Sequence, residues 1–286
     1  MLLSFPPACP RCGVKFQAFH RTSSTLGRSG FTLVEMLVVM AVLGLLAGVS
    51  MGAYQKAMAR ASMGTETSAA KNLIQAYQLA TTENGGRFLL SKDPTATGVL
   101  NANGQVISMA EIRSRYPFRL APYFNYRMEG TVLVNRNEAQ IIKLMGPSGF
   151  MYDYGLSVFP ALGINRYLVG GSISPNGVVQ YSEECVQSLA QADQSVIVFA
   201  SAGNPDVDGY EYVTAPLGPG GQWSSAKWSK DADAGNYGHV DGRFGGKAVC
   251  AFLDGSVRAL SMDELRDMRL WSRKAALENN PNYQPK

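Results

Sequence analysis

The feature that most limits what this chain can become is an apolar segment, residues 31–54, that starts directly after Gly30 and holds a single charged residue, Glu35. As a helix it would rise about 36 Å, enough to cross a hydrocarbon core of about 30 Å. Buried core helices seldom run so long without a polar face, so the segment predicts a membrane span. Residues 1–30 ahead of it carry Arg11, Lys15, Arg21 and Arg28, no acidic residue and no helical or strand periodicity. A secretory signal places its small-residue cleavage site after the apolar stretch. Here the small residue, Gly30, comes first, and a cut there would release the basic piece and retain the apolar helix. The upstream basic residues place the N-terminal side in the cytoplasm, with Lys56 and Arg60 beyond the span weighing the other way.

Glu35 sharpens this picture. A lone carboxylate early in a membrane helix costs roughly 2.5–3.5 kcal/mol on insertion scales, so it either stays hydrated at the interface or has a partner. A chain cut after Gly30 would supply one, the new α-amino group of Phe31. That amine lies near Glu35 of its own helix, and it could equally neutralise the Glu35 of a neighbouring copy and so set the axial register of a stack of helices. Charge elsewhere is balanced. Removing the four basic residues of the leader from the 26 Lys and Arg leaves 22, matching the 22 Asp and Glu. The remainder is formally neutral and gives no basic face for nucleic acid.

The run Gly30-Phe31-Thr32-Leu33-Val34-Glu35 leading into an apolar helix resembles the processing motif of type IV prepilins and type II secretion pseudopilins. The resemblance implies cleavage between Gly30 and Phe31 by a prepilin peptidase, N-methylation of Phe31 and a packing role for Glu35. It also implies assembly with other pilin or pseudopilin subunits, and a single-pass anchor in the bacterial inner membrane. The leader would be cytoplasmic, and the C-terminal domain periplasmic, or extracellular after assembly. The leader of residues 1–30 is long for that family.

The helical pattern continues past the span. Residues 55–84 contain no Pro and one Gly and are rich in good helix formers. Leu73, Ala76, Tyr77 and Ala80 recur at three- and four-residue steps, an apolar face suited to packing on a globular domain. Gly85-Gly86 supplies the stop. The pattern Tyr77…Asn84-Gly85…Phe88 resembles the helix end of major pseudopilins. The expected architecture is α+β and pilin-like: a long N-terminal helix, with a transmembrane half (31–54) and an amphipathic half (55–86), packed on a small antiparallel β-sheet domain (87–275), then a tail (276–286).

Within that domain, residues 131–135, 140–145, 166–169, 195–200 and 210–214 read as strands, and the Gly/Pro-rich stretches 146–165 and 215–246 as surface loops. Residues 247–253 and 256–260 flank Asp254-Gly255, a connection suited to a two-residue type I′ hairpin. Ser261-Met262-Asp263-Glu264 is a capping box that opens an expected helix of about fifteen residues. The block GGKAVCAFLDGSVRAL resembles the C-terminal Asp-Gly hairpin of planctomycete and verrucomicrobial pilin-like proteins. That group often carries one His upstream of the hairpin and another after the Asp-Gly. In this chain Arg243 stands near the first place and Ser256 follows the turn, with His239 further upstream.

Few residues suggest chemistry. Cys9-Pro-Arg-Cys12 has knuckle spacing, but a closed zinc site needs four ligands and no second pair exists. Cys185 and Cys250, alone in the part expected to face an oxidising compartment, are either a disulfide or two separate buried hydrophobes. Asn204, Asp206 and Asp208, followed by Gly209, have the alternating oxygen spacing that opens a calcium loop, although Ala215 stands where the loop's final acidic ligand belongs; the other reading is an Asp/Asn turn. His239 could serve a Ser-His-Asp site, but no nucleophile motif lies beside it. The residues therefore point to a structural subunit of a type II secretion or type IV pilus-type filament, not an enzyme. The alternative is a minor pilin or surface adhesin that binds polysaccharide or a secreted protein. In that case Trp223, Trp228 and Tyr237 of the 215–246 loop are the candidate contacts.

Overall fold

The computed structural model of the protein describes residues 30–174, 176–180 and 184–285, so the leader with its Cys9 and Cys12 lies outside the described residues. The chain divides into two compact units, Met1–Gly52 and Ala53–Lys286. Helix α1, Leu33–Glu83, runs through the first and into the second. It ends where the Gly pair stands. Gly86 N donates to Thr81 O at 2.9 Å and Gly85 N to Thr82 O at 3.3 Å, with Gly85 at φ 62°. These two bonds form a Schellman motif, which satisfies the last carbonyls and needs a left-handed residue at Gly85.

The second unit is built on a five-stranded sheet. Its strands are β1 (Leu162–Asn165), β4 (Ile197–Ser201), β5 (Tyr212–Val213), β6 (Lys247–Phe252) and β7 (Val257–Ser261), in the order β5-β1-β4-β6-β7. A separate two-stranded ribbon pairs β2 (Ser172–Ile173) with β3 (Val179–Gln180). The main sheet is mixed, where a purely antiparallel one was expected, because β5 runs parallel to β1. After β4 the chain turns back through residues 202–211 and lands beyond β1 instead of beside β4, which fixes the direction of β5.

Both faces of this sheet are covered. Along β6, Val249 and Ala251 enter a core with Leu73, Ile74 and Tyr77 of α1. Ala248, Cys250 and Phe252 enter a second core with Trp223, Tyr237 and Trp271. This alternation, dry on both sides, explains why β6 reads as an unbroken apolar run. Tyr77 anchors the first core. Its ring meets Phe199 edge-on at 5.6 Å and stacks on Phe88 at 5.8 Å, and its hydroxyl donates to Leu89 O at 3.3 Å. A third cluster belongs to the short helices α2 (Ala110–Arg113), α3 (Tyr116–Leu120), α4 (Asn137–Met145) and α5 (Phe150–Val158).

Several local expectations need correction. Residues 131–135 are irregular: the amides of Thr131, Val132 and Leu133 all bond Met128 O, and Asn135 has φ 59°. Residues 140–145 belong to α4, because Ile141 and Met145 point together onto α5 at a helical spacing that the apolar run conceals. The stretch 146–165 contains α5 and β1. Its Gly155 is no breaker: it is buried where α5 meets α4, and a Cβ there would lie 2.9 Å from Ile141 and Met145. Residues 166–169 form a turn joined to the rest by a Val169–Val186 bridge.

The C-terminal hairpin forms, but with a three-residue loop. Gly255 N donates to Phe252 O, Phe252 N to Ser256 O, and only Gly255 of the Asp-Gly pair has positive φ, 78°. This is a type I turn closed by a left-handed glycine, not type I′. The capping box beyond it is made: Ser261 N donates to Glu264 Oε2 at 2.7 Å and Glu264 N to Ser261 Oγ at 3.2 Å. The long helix expected after it is instead broken into 3-10 turns, Glu264–Arg266 and Met268–Leu270, and then α6, Arg273–Leu277. Asp267 takes extended backbone and caps Arg269 N at 2.9 Å, while Trp271 is drawn inward to donate to Leu265 O at 2.8 Å.

Candidate functional site

The N-terminal end of α1 is the first candidate. Every described side chain from Phe31 to Arg60 is exposed, including Phe31 (76%), Leu33 (80%) and Leu45 (73%). A helix apolar on all sides and uncovered needs lipid or other helices around it, which fits a membrane-anchored protein. At its start Thr32 Oγ1 accepts from Glu35 N at 3.2 Å, while Glu35 Oε2 accepts from Thr32 N and Thr32 Oγ1, both at 2.8 Å. Thr32-x-x-Glu35 is thus a capping box, legible in the sequence yet overshadowed by the question of Glu35's charge. It gives the carboxylate a local task within one chain.

The second candidate is a charged cluster that sequence reasoning missed. Glu66 of α1 is fully buried; Ser201 Oγ donates to its Oε1, and Arg243 Nη2 lies 3.8 Å from the same oxygen. Arg243 also donates to Asp208 O at 2.7 Å, Ala202 O at 2.6 Å and Ala161 O at 3.0 Å, and it lies 3.5 Å from Asp241. Arg243 therefore ties α1 to the ends of β1 and β4. Burial pushes the Glu66 carboxyl up, with the Arg243 charge opposing, and burial likewise raises Asp241. A signal was present. Glu66 sits three, four and seven residues before Ala69, Ala70 and Leu73, on the stripe that packs on the sheet.

The residues singled out from sequence are scattered. Asn204 Oδ1 accepts from Asp206 N at 2.8 Å and Val207 N at 2.9 Å, the geometry of an Asx turn. The Asp208 carboxylate pairs with Arg136; burial raises it, but the Arg136 hydrogen bond and the Arg243 charge leave it below its ordinary range. Among the described residues no three His, Cys, Asp or Glu converge as metal ligands. Cys185 and Cys250 are free, buried thiols that are not joined to each other; burial pushes Cys185 up to about 12 and Cys250 higher still. His239 stacks on Tyr210 at 3.7 Å, and burial holds its imidazole below the usual range. Trp223 and Tyr237, expected as surface contacts, are 7% and 3% exposed, and Trp228 packs against the same second core. Trp223 Nε1 donates to Thr214 O at 3.0 Å. Their apolar area holds the loop on the sheet.

Comparison with known proteins bears on the N-terminal end. Residues 26–51 match the family described as the prokaryotic N-terminal methylation motif. A fimbrial protein of Moraxella nonliquefaciens is 36% identical over 72 residues, 25% of this chain and 46% of that protein. The chain thus spans about half the length of that curated relative. No solved structure matches. The likeness is to the methylation motif at residues 26–51 and to part of that fimbrial protein, on a chain whose long helix packs on a small mixed sheet.

Proposed function

We propose that this chain is a pilin-type structural subunit of a type IV pilus-type or type II secretion filament. A prepilin peptidase cuts between Gly30 and Phe31, Phe31 is N-methylated, and residues 31–54 hold the subunit in the inner membrane as a single span. The leader is then cytoplasmic and the domain after residue 86 extracytoplasmic. In the assembled filament residues 31–60 pack against the same segment of neighbouring copies. The Phe31 amine meets Glu35 and fixes register, Glu35 exchanging part of its cap for that charge. The role is mechanical, without catalysis.

The observation that carries this reading is an apolar helix, exposed on every side, that begins directly after the Gly30-Phe31 pair and bears one carboxylate near its start. Intact mass and N-terminal sequencing of the protein recovered from native membranes test it. The expected product starts at N-methyl-Phe31. A chain that retains residues 1–30 would refute filament assembly through this segment and leave a single-span anchored domain.

A further inference from the structure

The α2–α5 region encloses a cavity of about 650 Å³, within the range of small-ligand sites. Its floor is the third apolar cluster, with Ile112, Phe118 and Leu156 almost fully buried. Its walls carry the rings of Tyr126, Phe150 and Tyr152, and Phe150 is 52% exposed. The charged residues that line it are three carboxylates, Glu129, Glu138 and Asp153, and one guanidinium, Arg127. None of the three carboxylates enters an ion pair among the described residues.

The acids are positioned by neutral donors. Asn101, 7% exposed, donates to Asp153 Oδ2 at 3.0 Å, while its own Oδ1 accepts from Asn103 N and Gln105 N, both at 3.0 Å. That locks the adjoining loop as a wall. Tyr152 OH donates to Glu138 Oε1 at 3.4 Å. The negative field is felt by Tyr152, whose hydroxyl is pushed up to about 12 by burial and then by Glu138, Glu129 and Asp153. Three carboxylates against one guanidinium, beside apolar walls, focus field lines on a cation, and ring faces add attraction for one. A neutral sugar would use the rings and leave the charge uncompensated.

We propose that this cavity binds a ligand with an aromatic or aliphatic body and one ammonium or guanidinium group. The body lies against Phe118, Tyr126 and Phe150, and the cation sits among Glu129, Glu138 and Asp153. The site stands independently of filament assembly. The cation is either carried by a free amine or presented as a side chain by a peptide segment.

The test uses the full chain in zwitterionic nanodiscs, with empty discs as blank, and ligand-observed NMR and calorimetry as readouts. The probes are 2-phenylethylamine, its neutral counterpart 2-phenylethanol, phenylacetate, and an end-blocked Gly-Phe-Lys-Gly peptide. The amine or the peptide should bind at least tenfold more tightly than the alcohol, and phenylacetate more weakly still. The double variant Glu129→Gln/Glu138→Gln, isosteric and at positions that are exposed and half-buried, should keep the melting temperature and lose at least fivefold in affinity for the cation while alcohol binding is unchanged. Tighter binding of the peptide assigns the cation to a protein partner; tighter binding of the amine assigns it to a small molecule. Equal binding of amine and alcohol overturns the proposal. So does an unchanged affinity in the double variant, or the absence of binding by all four probes up to their solubility.

Discussion

Replacing Arg243 with Met would leave Glu66 buried with no positive charge near it. The flexible thioether fills much of the same space, so the loss is mainly electrostatic. Arg243 contributes the charge 3.8 Å from Glu66 and bonds to the carbonyls of Asp208, Ala202 and Ala161. Breaking a buried pair by removing one partner costs about 3–5 kcal/mol at neutral pH, or roughly 6–20 °C in Tm for a domain of this size. The pH dependence identifies the cause. The Glu66 carboxyl is raised in the fold from its ordinary 4.5, so the folded state holds a proton that the unfolded chain releases. Stability therefore falls as pH rises from about 4.5 to the folded value, and then levels off. Without Arg243 the folded value climbs further, so the gap between Arg243→Met and wild type should be smallest near pH 4, where the loss of the carbonyl bonds remains, and widen toward pH 8. Adding Glu66→Gln to Arg243→Met should reduce that widening by the share Glu66 contributes. Asp241 and Asp208 also lose the Arg243 charge, so their share of the widening remains after Glu66→Gln. Urea melts followed by tryptophan fluorescence suit this, since Trp223 and Trp271 lie in the second core. A gap that is constant with pH, or unaffected by Glu66→Gln, would refute the uncompensated-charge account and leave only the lost carbonyl bonds.

Other outcomes follow from packing and burial. Gly155→Ala should cost about 1–3 kcal/mol by overpacking, since its Cβ would lie 2.9 Å from Ile141 and Met145; amide exchange should accelerate in α4 and α5 before it does in β6. Trp271→Ala removes a fully buried ring and its bond to Leu265 O, a loss of about 3–5 kcal/mol in chemical melts. Cys185 and Cys250 should resist a thiol reagent at pH 8 while the protein is folded, because burial keeps both protonated. Both should label within minutes in urea, and fast labelling of the folded protein would contradict their burial.

What could be read from the residues was what obeys a single local period. The stripe Leu73, Ala76, Tyr77 and Ala80, the Gly85-Gly86 stop, the strands around Asp254-Gly255 and the Ser261–Glu264 box all appear in the fold. Each needs only neighbours in sequence to define it. The α4–α5 pair was hidden because only Ile141 and Met145 of an apolar run face inward, leaving Ile142 and Leu144 exposed. Gly149 and Gly155 looked like breakers, yet one precedes α5 and the other lets α4 approach it. The parallel β5 depends on where a ten-residue return lands, which no local pattern encodes. The reading of Gly30, Phe31 and Glu35 rests on their order along the chain. The Glu66–Arg243 contact and the α2–α5 cavity join distant segments and were not recognisable that way.

The helix face that packs on the sheet has a consequence for biosynthesis. Among its partners is the last hairpin to be made: Lys71 donates to Gly255 O across 184 residues, and Gln78 to Leu253 O across 175. At about 5–20 residues per second, some 10–40 s pass between the two events. Until the end of that interval the stripe can meet Phe88 and Phe199 but lacks Val249 and Ala251 of β6, and for most of it Glu66 lacks Arg243. The first-made segment of the globular unit is therefore completed only by its last-made hairpin. A ribosome that stalls before residue 247 releases a chain whose helix stripe lacks the β6 side of its core, and chaperone capture is the fate such a fragment should meet.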